Sequence, residues 1–207
     1  MKKASLLCLC LLVSACAVLN IHPIKPVISM TMERLNAEDC CIKLSEVEAQ
    51  NLQIGNAYEI SLGPNSPVWT RDDDILWVEL FALPDLSNAG TIEIRSHQRH
   101  LPDAPGLGNG FFVHPILDFL DEGYAEICST TLQLRHVSSF FGRPYYGGEV
   151  LFDECAREAT YMAISPDPNR TGRQVRWQAP TSEGLHPMSA HLNYEGSIRI
   201  TINAAED

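Results

Sequence analysis

The chain runs Ile75-Leu76-Trp77-Val78-Glu79-Leu80-Phe81-Ala82-Leu83 and then reaches Pro84. Apolar side chains occupy both sets of alternate positions in this stretch, with Glu79 as the exception, as in a strand that is buried on both faces. Proline has no N–H to hydrogen-bond to a neighbouring strand, so the strand is expected to end at Pro84. The stretch therefore predicts a central strand in a domain with a sizeable core.

Short strand-like segments continue on both sides of this stretch. Residues 58–62 alternate before a Gly-Pro-Asn turn, and residues 91–95 alternate strictly, as in a half-exposed strand. The other predicted strands lie at residues 111–119, 125–134, 149–152 and 159–164, with a C-terminal hairpin of 190–194 and 197–202 around Glu195-Gly196. A helix is expected only near residues 43–50, and a long loop at 97–110.

This series of short strands predicts the fold class. Strands that recur at short intervals between turn residues, without a sustained helical period, are typical of an all-β domain. We expect a β-sandwich with a jelly-roll-like arrangement, and a barrel has the same sequence pattern.

The first 15 residues have the layout of a signal peptide. Lys2 and Lys3 precede an apolar run at residues 4–15, and the run ends in Val13-Ser14-Ala15-Cys16. This run is shorter than the roughly 20 apolar residues that cross a bilayer as a helix. The final four residues resemble the lipobox of bacterial lipoproteins, in which Cys16 is lipidated and begins the mature chain. An ordinary secretory signal with an incidental cysteine is the alternative.

A lipidated Cys16 predicts where the protein is located. Palmitate-type acyl chains hold a protein at a membrane because each buried methylene contributes about 0.8 kcal/mol. Ala17 follows the cysteine, and the absence of Asp at that position implies the outer membrane, with the chain facing the periplasm. The expected organisation is a signal peptide at 1–15, a lipidated tether at 16–39 and a β-sandwich domain at 40–207.

The chain is acidic, with 26 Asp and Glu residues against 15 Lys and Arg and a formal charge of −11. Loss of Lys2 and Lys3 with the signal peptide makes the formal charge −13. Nucleic acids and anionic membrane surfaces repel such a chain, so we expect no nucleic-acid partner. Solubility alone also explains this acidity.

Four cysteines besides Cys16 remain in the mature chain: Cys40, Cys41, Cys128 and Cys155. In an oxidising periplasm they are expected to form disulfides, and three connectivities are open. A bond between the adjacent cysteines needs a distorted peptide, because bridged Cα atoms normally lie further apart than one trans peptide allows. Cys128–Cys155 is the preferred pair, and its loop closure contributes roughly 3 to 4 kcal/mol.

Several sequence landmarks follow one another along residues 40–202. They are Cys40-Cys41, Asn65-Ser66-Pro67, Leu83-Pro84, Pro115-Ile116-Leu117-Asp118, Ala156-Arg157 and Gly196 in the last predicted hairpin. Their order resembles the maltose operon periplasmic protein family. The resemblance implies a periplasmic, β-rich accessory protein for maltose or maltodextrin use, without an enzymatic role and without an assigned binding residue. Residues 162–166 depart from the family pattern, which has an aromatic run ending in Thr there.

Motifs for catalysis, metals and cofactors give no specific signal. His97, His100, His114 and His136 do not have the spacing of a zinc site. The acidic residues at 72–74 lack the glycine of a calcium loop. The carboxylates of Asp118 and Asp121-Glu122 form a pair for glycoside hydrolysis only at a fixed distance from each other, which the sequence does not show. No nucleophile elbow, phosphate-binding loop or Cys-x-x-Cys occurs. We therefore expect neither an enzyme nor a bound metal or cofactor.

Aromatic residues in loop-like sequence are the remaining functional candidates. Carbohydrates place their flat C–H faces on exposed rings, and the candidates are Trp69, Tyr145, Tyr146 and Trp177. Core or turn packing is the alternative for these residues, as it is the expected role of Trp77.

The sequence leaves three functional hypotheses. The first is a non-catalytic envelope lipoprotein that binds or helps to handle maltodextrins. The second is an interaction lipoprotein that docks to an envelope complex through a sheet edge or an exposed patch. An uncharacterised hydrolase is the third and least favoured.

Overall fold

The computed structural model describes residues 33–35, 40–100, 110–137, 145–181 and 184–205. The predicted signal peptide, Cys16 and most of the predicted tether lie outside these residues. Among the helices described, none combines the length and the apolar character needed to cross a bilayer.

The described chain is built from short strands. They are β1 (Gln50–Asn51), β2 (Ala57–Leu62), β3 (Val68–Arg71), β4 (Asp74–Trp77), β5 (Glu79–Ala82), β6 (Ala89–His97), β7 (Arg99–His100), β8 (Gly110–Val113), β9 (Pro115–Leu120), β10 (Glu126–Thr131), β11 (Arg135–Val137), β12 (Tyr145–Leu151), β13 (Tyr161–Pro166), β14 (Gln174–Thr181), β15 (Gly184–Asn193) and β16 (Gly196–Ala204). Helical structure consists of α1 (Glu154–Arg157), two 3-10 helices (Leu44–Glu46 and Leu86–Asn88) and a helical segment at residues 33–35.

The strands form three sheets and one separate hairpin. The front sheet has the order β11-β12-β6-β16-β2, the back sheet β1-β5-β13-β9-β10 and the side sheet β14-β15-β8-β7, while β3 pairs with β4. Neighbouring strands are antiparallel except in the pairs β1–β5 and β15–β8. This architecture confirms the predicted all-β sandwich.

The main core lies between the front and back sheets. Strands β6 and β16 alternate buried and half-buried residues, so Ile94 and Ile200 point into the core while their neighbours face outwards. The back sheet contributes Phe81 and Phe119 from the other side, and Trp77 is buried among them as predicted. The alternation of apolar and polar residues in the sequence therefore corresponds to the alternation of buried and half-buried residues in β6 and β16.

A smaller core lies where the front sheet meets the side sheet. Phe112, Ala190 and Leu192 of the side sheet pack there with Tyr146 of the front sheet. Strand β8 of the side sheet and β9 of the back sheet are separated only by His114. The chain therefore passes directly from the side sheet into the back sheet, and both sheets face the front sheet.

The back sheet is buried on both faces, as the central stretch predicts. Every residue of β9 is buried, and the outer face of the sheet carries Leu80, Leu120 and Ala163 beneath Leu44 and Val47. The predicted single strand at 75–83 is nevertheless two strands, because the N–H of Val78 donates to the carbonyl of Pro67 and the chain then passes from the hairpin into the back sheet.

The predicted C-terminal hairpin is wrong. Strand β15 pairs with β14 and β8, whereas β16 lies between β6 and β2 in the front sheet. The isoleucines of β16 reach the main core because β16 lies in the front sheet. The chain therefore crosses from the side sheet to the front sheet at residues 194–196. Gly196 serves close packing at this crossing, since a Cβ there would lie 2.5 Å from Cγ2 of Val113.

Three other boundaries differ from the sequence expectations. The helix expected at 43–50 is reduced to the 3-10 helix Leu44–Glu46. The loop expected at 97–110 contains the end of β6 and strand β7, and residues 101–109 lie outside the described residues. Leu35 falls in the predicted tether but is only 1% exposed and belongs to the main core, so the folded part begins before Cys40.

Two disulfides join the four cysteines of the domain. Cys128 and Cys155 are bonded, as preferred, and connect β10 to α1 over a Cα–Cα distance of 6.3 Å. Cys40 and Cys41 are also bonded, and the peptide between them is cis. The sequence expectation assumed a trans peptide, which is why the adjacent pair was disfavoured.

Gly196→Ala tests whether close packing fixes the last crossing. The added methyl must displace Val113, so we expect the free energy of unfolding to fall by about 1 to 3 kcal/mol in urea titrations. Gly63→Ala is the matched control, because its Cβ would meet only Cγ of Glu195 at 3.9 Å. Equal losses in the two variants would contradict this role for Gly196.

Candidate functional site

The four aromatic candidates do not lie at one place. Tyr146 is 8% exposed in the smaller core, and Trp177 stacks on His136 with ring centroids 4.5 Å apart. Trp69 packs on the outer face of the back sheet. Tyr145 alternates with Tyr146 along β12 and therefore faces outwards from the front sheet. Core packing thus accounts for Tyr146 and much of Trp177, and leaves Tyr145 and Trp69 as surface candidates.

The front face, defined as the outward side chains of the front sheet, carries a row of charged residues. Strand register places one residue from each strand in this row: Arg135, Gly147, Arg95, Arg199 and Glu59. Each residue of the row is exposed or half-buried. Three guanidinium groups therefore lie on one row of a chain that is acidic as a whole.

Tyr145 lies flat beside this row. A Cβ at Gly147 would come 2.6 Å from Cε2 of Tyr145, so the ring occupies the space above the glycine. The Cζ atom of Arg95 lies over the same ring at 4.9 Å from its centroid. Nε of Arg95 donates to Oε1 of Glu93 at 2.6 Å and Nη2 donates to Oε2 at 2.9 Å, which raises the pKa of Arg95. An aromatic ring, a guanidinium and a carboxylate thus form one half-buried group.

Like charges stand opposite each other on the front face. Arg95 is the direct cross-strand partner of Arg199, and Glu93 is the partner of Glu149. Like charges in this position destabilise a sheet. Arg95 is paired with Glu93 and Arg199 also faces Glu59 on β2, so opposite charges offset this cost, and donors and acceptors lie side by side on the front face.

A second aromatic group lies on the outer face of the back sheet. The rings of Tyr124 and Tyr161 stack with centroids 4.6 Å apart and 15° between their planes. Both rings and Trp69 are half-buried and pack against the same apolar cluster. A hydrogen bond with the side chain of Tyr161 raises the pKa of Tyr124.

The loop that holds Tyr124 is strained. Tyr124 has a φ of 65°, in the left-handed region that costs a side chain such as tyrosine roughly 1 to 2 kcal/mol. Asp121 fixes this conformation, because its side chain accepts hydrogen bonds from the backbone N–H groups of Gly123 and Ala125. The adjacent Gly123 would tolerate a positive φ, yet it does not have one. The backbone conformation that positions the ring of Tyr124 therefore destabilises the loop.

Asp118 is held in an ion pair inside the protein. It lies in the middle of β9 with no exposed side-chain area, and Arg71 donates to both of its carboxylate oxygens at 2.9 to 3.1 Å. Asp118 falls within the strand predicted at 111–119, and Arg71 of the β3–β4 hairpin covers it. Arg71 also donates to Ser129, so the group fastens the hairpin to the back sheet. Asp72, Asp73 and Asp74 are exposed where the hairpin turns.

The described histidines are spread over different parts of the fold. His97 faces outwards on β6, His136 packs on Trp177, and His114 is buried between the back and side sheets. In the described ranges, one set of three metal-ligand side chains comes together, formed by Cys128, Asp153 and Cys155. Its two sulfurs are already bonded to each other, so they are not thiolate ligands.

His114 is the centre of a buried polar group. Its Nδ1 lies 3.7 Å from Oδ2 of Asp167, and Nε of Arg170 lies 3.4 Å from the same oxygen. Neither ring nitrogen of His114 forms a hydrogen bond with the described residues, nor does Oγ of the buried Ser165. Burial, and secondarily the positive charge of Arg170, lower the pKa of His114 to about 4 although Asp167 opposes the change. His114 and Asp167 are buried while Arg170 reaches the surface, and the burial of the histidine favours a structural role.

Comparison with known proteins adds no relative. No family model, curated protein or solved structure matches this chain.

Sequence reasoning identified Tyr145 and Trp69 but missed the residues around them. Strict alternation at 91–95 already places Glu93 and Arg95 outwards, and this was the available signal. The row with Arg135 and Arg199 depends on strand register, which the sequence does not show. Tyr124 follows a glycine in turn-like sequence, and only its φ separates it from an ordinary loop residue.

Acid titration tests the burial of neutral His114. The unfolded side chain titrates near pH 6.5, and the folded one takes up a proton only near pH 4. The contribution of neutral His114 to the stability of the fold is complete above pH 6.5 and is lost as the pH falls to 4. Between pH 6.5 and pH 4 the free energy of unfolding should therefore fall by about 2 to 3 kcal/mol more in the wild type than in His114→Gln, as measured by urea unfolding. Identical pH slopes in wild type and His114→Gln would contradict the account.

Proposed function

We propose that this chain is a non-catalytic lipoprotein of the bacterial outer membrane that binds a maltodextrin-type glycan on its front face. The observation that carries the proposal is the group formed by Tyr145, Arg95 and Glu93. A pyranose needs a flat ring for its C–H face and planar charged groups for its hydroxyls, and this group offers both at the surface.

The charge pattern of the front face fits a neutral ligand. Three arginines, at 95, 135 and 199, are balanced by three glutamates, at 59, 93 and 149. Such a face attracts neither a polyanion nor a polycation, whereas alternating donors and acceptors suit sugar hydroxyls. The row crosses all five strands of the front sheet, which gives an extended oligosaccharide room for several units.

Location at the outer membrane rests on the N-terminal sequence. The apolar run that ends at Cys16 supports export and lipidation, and Ala17 supports sorting to the outer membrane. The resemblance to the maltose operon periplasmic protein family supports a maltodextrin as the glycan. In this proposal the membrane is reached through the lipid, and the sandwich faces the periplasm.

Cys16→Ser tests the anchor. The variant should lose incorporation of radiolabelled palmitate and move from the membrane fraction to the periplasmic fraction, because no thiol remains to carry the diacylglycerol. Cys10→Ser, within the apolar run, is the control and should keep its label and location. Unchanged labelling and fractionation of Cys16→Ser would remove the basis for the proposed location.

Tyr145→Ala tests the glycan site. The full-length variant is titrated with maltoheptaose in a detergent without a sugar headgroup. Its Kd should be at least tenfold higher than that of the wild type, which is a loss of about 1.4 kcal/mol of binding free energy. Arg95→Ala should weaken binding similarly. Arg173→Ala removes an exposed arginine outside the front face and should leave the Kd unchanged. Equal affinity in all variants would rule out this face as the site.

Docking to an envelope protein is the second candidate function. Leu185 in β15 is 66% exposed, and Leu151 at the end of β12 is 74% exposed. Large apolar side chains in such positions are typical contacts for a protein partner. Absence of heat or fluorescence change at millimolar maltodextrin would favour this function over glycan binding.

A further inference from the structure

The stacked pair Tyr124–Tyr161 resembles the front-face group in one respect: its aromatic rings are half-exposed. The two groups lie on opposite faces of the sandwich. Tyr145 faces outwards from the front sheet, and Tyr161 lies on the face of the back sheet that is turned away from the main core. A ligand bound at one group therefore does not reach the other across the core.

The backbone of Tyr124 indicates a role beyond packing. The left-handed position of this loop is one that glycine favours, and here Tyr124 occupies it although Gly123 is adjacent. Strained backbone held by surrounding hydrogen bonds is common where a side chain must be presented to a ligand. Asp121 supplies those hydrogen bonds from within the same loop.

The surroundings of the pair determine which ligand fits. Asp121 and Glu122 lie in the loop, so an anionic ligand is repelled. A quaternary ammonium ion prefers rings on several sides of it, as in an aromatic cage. The two rings stack on each other, so the pair presents an outer ring face and not a cage, and the exposed Glu122, two residues before Tyr124, brings a hydroxyl acceptor into the same loop. A neutral pyranose matches this combination.

We propose that Tyr124 and Tyr161, with Trp69 beside them on the same cluster, form a second glycan-binding platform on the back of the sandwich. This inference rests on the proposed function for the identity of the sugar. With two sites on opposite faces, one protein molecule holds two segments of glycan at once. Long chains are then bridged between protein molecules, and short chains are not.

Binding stoichiometry tests the inference on the full-length protein in a detergent without a sugar headgroup. The wild type should bind two molecules of maltoheptaose, and Tyr124→Gly and Tyr145→Ala should each bind one. The double variant should bind none. Glycine accepts the φ of 65°, so Tyr124→Gly should keep its urea midpoint while losing the site. Tyr124→Phe keeps the ring and should retain two sites.

Light scattering with soluble amylose gives an independent readout. The wild type should cross-bridge amylose, and each single variant should scatter at least tenfold less. If Tyr124→Gly still binds two sugars and bridges amylose, the second platform is refuted while the front-face site stands. If Tyr145→Ala changes nothing and Tyr124→Gly removes all binding, the front-face assignment fails and the back platform stands. If the wild type binds no maltoheptaose, both fail.

Discussion

The back sheet is the element on which the rest of the structure depends, because its central strands bury both faces. Strand β9 has no exposed residue, and β13 is buried except at Tyr161. One face is covered by the front sheet, and the other needs a separate cover, which the residues after Cys40 and the β3–β4 hairpin provide. A sandwich of two sheets alone would leave Leu80 and Leu120 in water.

Polar bonds fasten this cover to the sheet. Arg71 joins the hairpin to Asp118 in the buried face, and removal of one partner would leave the other charge buried and unpaired. The hydroxyl of Thr70 lies 2.8 Å from Sγ of Cys41, and the N–H of Ile42 donates to the carbonyl of Val68. The acidic residue that first suggests hydrolysis is thus part of the scaffold. Its side chain is fully buried, and both of its carboxylate oxygens are bonded to Arg71.

The same layering accounts for the positions of the two proposed sugar platforms. The front sheet buries only its inner face, so alternate residues of β6, β12 and β16 remain at the surface and carry the row of charges. The cover of the back sheet ends before Tyr124 and Tyr161, which stay half-exposed at its margin. His114, where the chain passes from the side sheet to the back sheet, buries both of its ring nitrogens. That junction stabilises the neutral histidine and is remote from solvent.

The local sequence pattern and the pairing of distant strands determine different features of this structure. Alternation and apolar runs act through neighbouring residues, so they predicted the all-β class and the buried stretch at 75–83. The sequence names Tyr145 only as an aromatic residue in loop-like sequence, and the tertiary structure places it on the outward side of β12. Strand order and register depend on contacts between distant segments, and these contacts separated β15 from β16 and aligned Arg95 with Arg199. The same contacts buried Asp118 and brought Tyr124 onto Tyr161, since the free energy of burial is gained only when remote strands meet.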